Sequence, residues 1–235
     1  MSKETITVNK KELMDSIEIC TCDDHEHMHT FEFAGLGKYF CDKDKLKKYI
    51  EELFEEHDER KCTGYHPEKL DACIDEDGES IGISDNRLFH TRGIARMCYK
   101  YAYILTQNPS AAQKLFVLGW NHDIGYEFSA KPSSHPYHGA SVLTHITHNG
   151  EVLGPIKNHG DASMIDFNSF DEIILNIADL TVDSAGNTCT MDERLEDIAS
   201  RYGSTSREVD MTSQVVEKLK QTKEYKQLKA LGFYI

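Results

Sequence analysis

From Asn86 onward, apolar side chains recur at helical spacing, and several positions on those apolar stripes are occupied by histidine or aspartate. His90, Ile94, Met97 and Tyr101 form one stripe on a helix that Pro109 must end, because proline cannot continue the backbone hydrogen bonding. A second helix is expected from Ser110 as N-cap, with Ala111, Leu115, Leu118 and His122 on one face. Ser134 is the expected N-cap of a third, with Pro136 in its first turn and His135, Gly139, Val142 and Ile146 aligned. A fourth pattern covers Phe170 to Val182, where Leu175, Ala178, Asp179 and Val182 share a side, and a last one covers Ser213 to Leu231. No alternating strand pattern follows residue 86, so the expected fold class is all-α, a helical bundle.

The first part of the chain reads differently. It contains the stretch Cys20-Thr-Cys-Asp-Asp-His-Glu-His-Met-His29 and an amphipathic pattern over about 44–56. A Gly-, Ser- and acid-rich loop follows at 75–84. The expected organisation is a partly helical N-terminal appendage (1–83), a helical domain (84–204) and a C-terminal helix (205–235) packing on that domain or on a second copy. Cys20, Cys22, His25, His27 and His29 are residue types that suit zinc, but their spacing matches no structural zinc pattern, and a polar loop is the competing reading.

Composition narrows the function classes. The 235 residues carry a formal charge of −14, which disfavours the phosphate-tracking contacts of nucleic-acid polymer binding. No apolar run approaches the roughly 20 residues that span a bilayer, and the N-terminus lacks a signal-peptide core, so the default expectation is a cytoplasmic protein. Seven cysteines, an odd number, point to reduced thiols and not to a disulfide framework.

A single histidine on a helix stripe is ordinarily a core residue satisfied by one hydrogen bond. Here six such groups accumulate: His90, His122, Asp123, His135, His159 and Asp179, each at a helix end or an inward face. Burying imidazoles beside carboxylates is costly unless they are paired or coordinated, and a metal ion removes that cost.

Taken in order, these residues resemble the HD superfamily of metal-dependent phosphohydrolases. Arg87-Leu-Phe-His90 is similar to an Arg-x-x-His opening, and His122-Asp-Ile-Gly125 is the His-Asp-Ile-Gly element. His135-Pro-Tyr-His-Gly-Ala-Ser-Val-Leu143 resembles the His-Pro segment of six-ligand members, and Ile156-Lys-Asn-His159 and Ile177-Ala-Asp179 resemble the last two ligand segments. The likeness covers roughly residues 84 to 200.

The resemblance implies an HD-domain bundle with a dinuclear site. His90, His122 and Asp179 would hold one metal, Asp123 would bridge, and His135, preferred to His138, would hold the second together with His159. Imidazole and carboxylate ligands suit iron, manganese or another divalent or trivalent transition metal better than calcium. The implied reaction is attack of a metal-activated hydroxide on a phosphoester or phosphoanhydride of a small nucleotide-like substrate. Asp123 is the catalytic candidate; Arg87, one turn before His90, is the first candidate for binding substrate phosphate and Lys131 and Lys157 are weaker ones, a solvated surface cation being the commoner role for each on residue type alone. Tyr126 stands where members that cleave cyclic dinucleotides carry Lys, and Asn158-His159-Gly160-Asp161 departs from their pattern. The spacing looks closer to bacterial HD hydrolases of diadenosine tetraphosphate. The same ligand set also occurs in HD-type di-iron oxygenases acting on small polar substrates, which are the main alternative, and a non-catalytic nucleotide sensor is a third. His145 and His148 are expected on the surface of the third helix, Asp183 is expected to face water, and a homo-oligomer is an open possibility.

Overall fold

The computed structural model describes residues 33, 34, 36, 81–144 and 147–235. Among these are eight α-helices and no strand; the β-type pairing is confined to two isolated bridges, Phe33 with Leu36 and Val182 with Thr188. The fold is all-α. The Cys20–His29 cluster and the expected helix at 44–56 lie outside the described residues, as do His145 and Ile146. No helix among the described residues is long and apolar enough to cross a membrane.

Helix α1 spans Asp85–Thr106, capped by the Ser84 hydroxyl, which accepts the Arg87 N–H. It packs most extensively on α2, Pro109–Asn121. The N-cap of α2 is Asn108 and not Ser110: the Asn108 side chain accepts the N–H groups of Ser110 and Ala111, and Pro109 takes the first helical position, where a missing N–H costs nothing. Two short 3₁₀ turns, Ile124–Glu127 and Pro132–Ser134, lead into α3, His135–Leu143. Ser134 precedes α3 as expected, but its side chain makes no capping bond, and α3 ends at Leu143 with Thr144 as its C-cap. His148 is exposed, though it lies beyond the end of α3.

Two helices were not among those expected. Helix α4, Gly150–Asn158, contains Gly154 and an internal Pro155, both poor helix residues, and forms because Val152 and Ile156 are fully buried one turn apart. Helix α6, Met191–Tyr202, is amphipathic, with Met191, Leu195, Ile198 and Tyr202 on one stripe, and is started by a capping box between Thr190 and Glu193. Between them lies α5, Phe170–Asp179, which ends three residues earlier than the expected Val182.

The expected C-terminal helix is two helices, α7 at Arg207–Leu219 and α8 at Lys223–Ala230. The break occurs because tight turns close on Lys218 and Leu219, and Thr222 then caps a new helix through the Tyr225 N–H. Helix α7 packs on α5 and α6, and α8 packs on α1 and α5.

Helix α5 is the centre of the bundle, touching α1, α2, α4, α7 and α8. Every residue from Glu172 to Ala178 is buried, as expected of a helix enclosed by others. Ile173, Ile174, Leu175 and Ile177 each contribute about 1.5–3 kcal/mol by leaving water. That packing fixes the C-terminal end of α5, and with it Asp179.

Candidate metal centre

Six polar side chains converge where the ends of α2, α4 and α5 meet the start of α3 and the first turns of α1. His122 follows the last residue of α2, and Asp123 comes next; His135 opens α3, His159 follows α4, and Asp179 closes α5. His90 reaches in from α1. Ligand atoms of His90, His122 and Asp179 all lie within 4.8 Å of one another, and so do those of His122, Asp123 and His159. These groups of histidine and aspartate can hold metal. His135 stands beside the second group, its Nε2 3.1 Å from Asp123 Oδ1 and 2.9 Å from His159 Nε2. His138, the neighbouring histidine on α3, is engaged elsewhere, 2.7 Å from Ser129 Oγ.

All four inward imidazoles are held the same way. Nδ1 of His122 lies 2.7 Å from the Gly119 carbonyl, that of His159 2.6 Å from Ile156, that of His90 2.9 Å from Asp183, and that of His135 bonds the Pro132 carbonyl. A carbonyl only accepts, so each Nδ1 carries the hydrogen and each neutral ring turns the lone pair of Nε2 toward the cluster. Three of these carbonyls belong to the residue three positions earlier, whereas His90 depends on Asp183, 93 residues away. Asp183 was expected to face water. Its carboxylate does shape an exposed turn, accepting from Ala185 and Asn187, but its carbonyl orients His90.

The donor chemistry fits a metal. His122 is fully buried, and its Nε2 has no hydrogen-bond partner. His90 Nε2 lies 3.1 Å from Asp179 Oδ1 and His122 Nε2 lies 3.3 Å from Asp123 Oδ2, pairing lone pair with lone pair unless a cation or proton intervenes. Hydrogen-bonded outer nitrogens and inward lone pairs are the arrangement that metal-ligating histidines require.

Asp123 sits between the two groups. Oδ2 accepts from Arg87 Nη1 at 2.8 Å and faces His122, while Oδ1 faces His135 and, at 3.8 Å, His159. Burial opposes its charge, but His122 and Arg87 outweigh burial and hold the carboxyl well below the usual carboxylate range. These shifts belong to the protein with protons in place of metal on the inward nitrogens: Asp179 is likewise held low there, burial being overcome by the hydrogen bond from a protonated His90 and the charge of a protonated His122. Burial pushes His135 down to about 4 despite Asp123, and lowers His90; at His122 the Asp123 charge prevails over burial and raises it.

The close approach of α3 needs Gly125. A Cβ there would overlap the His135 carbonyl oxygen, so the glycine of His122-Asp-Ile-Gly125 lets the two ligand segments meet. Tyr126 then stacks on the His135 ring, centroids 4.1 Å apart, with the Arg87 guanidinium 4.0 Å from the Tyr126 centroid.

A cavity of about 320 Å³ opens over the cluster and is lined by Asp123, His135, His159 and Asp179. Arg87 and Lys157 line it too; Lys131 is exposed and is not part of its wall. Sequence reasoning missed the opposite wall, supplied by Arg194, Ile198, Arg201 and Tyr202 of α6 and by Arg207 and Met211 of α7. The signal was present and was overlooked: Met191, Leu195, Ile198 and Tyr202 recur at i, i+4, i+7 and i+11, and two arginines lie seven residues apart on the same segment. Tyr137, Met164 and Tyr202, three of the exposed large apolar side chains, gather on this cavity.

No protein-family model, curated protein or solved structure matches the chain. The class therefore follows from the geometry. This is a helical chain whose His90, His122, Asp123 and His159 form a cluster compatible with an HD-type metal site.

Proposed function

We propose that this chain is an HD-type metal-dependent phosphohydrolase that cleaves a phosphoester or phosphoanhydride bond in a small nucleotide-like substrate. The observation that carries the reading is the orientation of four imidazoles, each tied at Nδ1 to a carbonyl, so that four Nε2 atoms turn toward one cluster with two carboxylates, and His135, His159, Asp123 and Asp179 open it to the cavity. His90, His122 and Asp179 would hold one ion, His135 and His159 a second, and Asp123 would serve both. Iron or manganese suits this donor set. Bound there, the ions would make water a nucleophile near neutral pH and offset charge on a phosphoryl group.

The protein's own groups supply the remainder. Arg87, anchored on Asp123 and braced by Tyr126, offers its other N–H donors to a substrate oxygen beside the cluster. Lys157, exposed on the cavity wall, draws an anion toward a surface of net negative charge. The cavity volume lies at the small end of ligand pockets.

The test is a screen of nucleotides and phosphorylated metabolites with protein loaded with manganese or iron. Phosphate release under anaerobic conditions is expected. Substrate-dependent oxygen uptake without phosphate release would replace this reading by the di-iron oxygenase.

A further inference from the structure

Helix α6 brings two arginines onto one carboxylate. Arg194, 5% exposed, donates from Nη1 to Asp197 Oδ2 at 2.7 Å. Arg201, two turns further along, donates from Nη2 to the same oxygen at 2.8 Å. The two guanidinium groups are thus neighbours, and two positive charges against one negative leave the group at +1. Both arginines line the cavity. Arg194 Nη2 lies 3.3 Å from His90 Nε2, so the pair stands on the His90 side of the cluster, whereas Arg87 stands on the Asp123 side.

A solvated helix face would also show i,i+3 and i,i+4 ion pairs, and such pairs by themselves mean little. Arg194 is different. It is a buried cation whose Nε has no hydrogen-bond partner, and an unmet buried donor is costly unless something completes it. Two adjacent guanidinium forks with unused N–H groups match the tetrahedral oxygens of a phosphate.

We propose that Arg194 and Arg201, held together by Asp197 as a positioning residue, form an oxyanion seat that grips a phosphate group of the substrate. The inference deepens the hydrolase reading and rests on it for the identity of the anion. The group gripped is either the one that reacts or a second phosphate of the same molecule.

The experiment is calorimetric titration of the full-length protein with inorganic phosphate and with pyrophosphate, with metal content measured on the same samples. Arg201→Ala, whose side chain is about one-third exposed and tolerates truncation, is expected to weaken phosphate binding about tenfold while metal content stays at the wild-type level. Arg194→Lys, which keeps the charge but loses the fork, and Asp197→Asn, which loosens both arginines, are expected to weaken it severalfold. Equal losses for both anions assign the seat to the reacting group; a larger loss for pyrophosphate assigns it to a second phosphate.

Unchanged affinity in Arg201→Ala and Arg194→Lys, or wild-type protein that binds neither anion, overturns the proposal. The hydrolase reading fails separately. Protein without metal or turnover whose phosphate binding still falls in Arg201→Ala keeps the seat and loses the hydrolase, and active metalloprotein with indifferent variants does the reverse.

Discussion

His135 and His159 present their Nε2 atoms to each other at 2.9 Å, while the Nδ1 of each ring is committed to a backbone carbonyl. Two lone pairs at that distance repel, so the pair is at ease only with a shared cation or proton. Metal should therefore stabilise the fold. Freshly purified protein is expected to contain about two transition-metal ions per chain, the two-ion site described above. Chelation should lower Tm by roughly 5–10 °C, the shift that loss of a ligand present at about a hundred times its Kd produces in a chain of this size. Metal-free protein with an unchanged Tm after chelation contradicts the proposed centre.

Among the described residues, Asp123 is the carboxylate in reach of both halves of the cluster and of Arg87. Asp123→Ala and His122→Ala should each reduce turnover by at least a hundredfold and lower bound metal, with helical circular dichroism largely retained. Full turnover in either variant rules out the mechanism.

Gly186 tests the support of His90. Its φ of +83° lies in the left-handed region, and a Cβ there would overlap the Phe89 carbonyl oxygen. Gly186→Ala should shift the 183–187 turn whose Asp183 carbonyl orients His90, costing about 1–3 kcal/mol of stability. It should also weaken metal binding by about 10–100-fold, as loss of an outer-shell contact does. Wild-type metal affinity in this variant, measured by competition with a chromophoric chelator, would show that His90 does not need that carbonyl.

Tyr101 supplies a contrast from the same bundle. Its hydroxyl meets Thr181 Oγ1 at 3.0 Å in the core, away from the cavity wall. Tyr101→Phe should cost about 1 kcal/mol in chemical denaturation, with metal content and kcat/KM unchanged. A collapse of activity would place Tyr101 in the site's support.

How much of this was legible beforehand differs by residue. The helical class and the helices carrying His90, His122, His135 and Asp179 followed from periodicity, because a helix that buries one face must repeat apolar residues along it. Helix α4 was hidden by its glycines and Pro155, whereas α6 carried a readable stripe, Met191, Leu195, Ile198 and Tyr202, behind a capping box. The caps at Asn108 and Thr222 were missed because several residues in each stretch could cap, and only packing selects one.

Some of the cluster was local from the start. The bonds from His122, His135 and His159 to the carbonyls three residues before them are properties of short segments, so local residue order already sets how those rings are turned. The meeting of His90 with Asp179 and Asp183, the contact of Gly125 with His135, and the facing of Arg194 and Arg201 toward the cavity are relations between segments far apart in the chain. They exist only once the helices have packed, because side-chain periodicity records which face of a helix is buried and carries no information about which other helix will bury it.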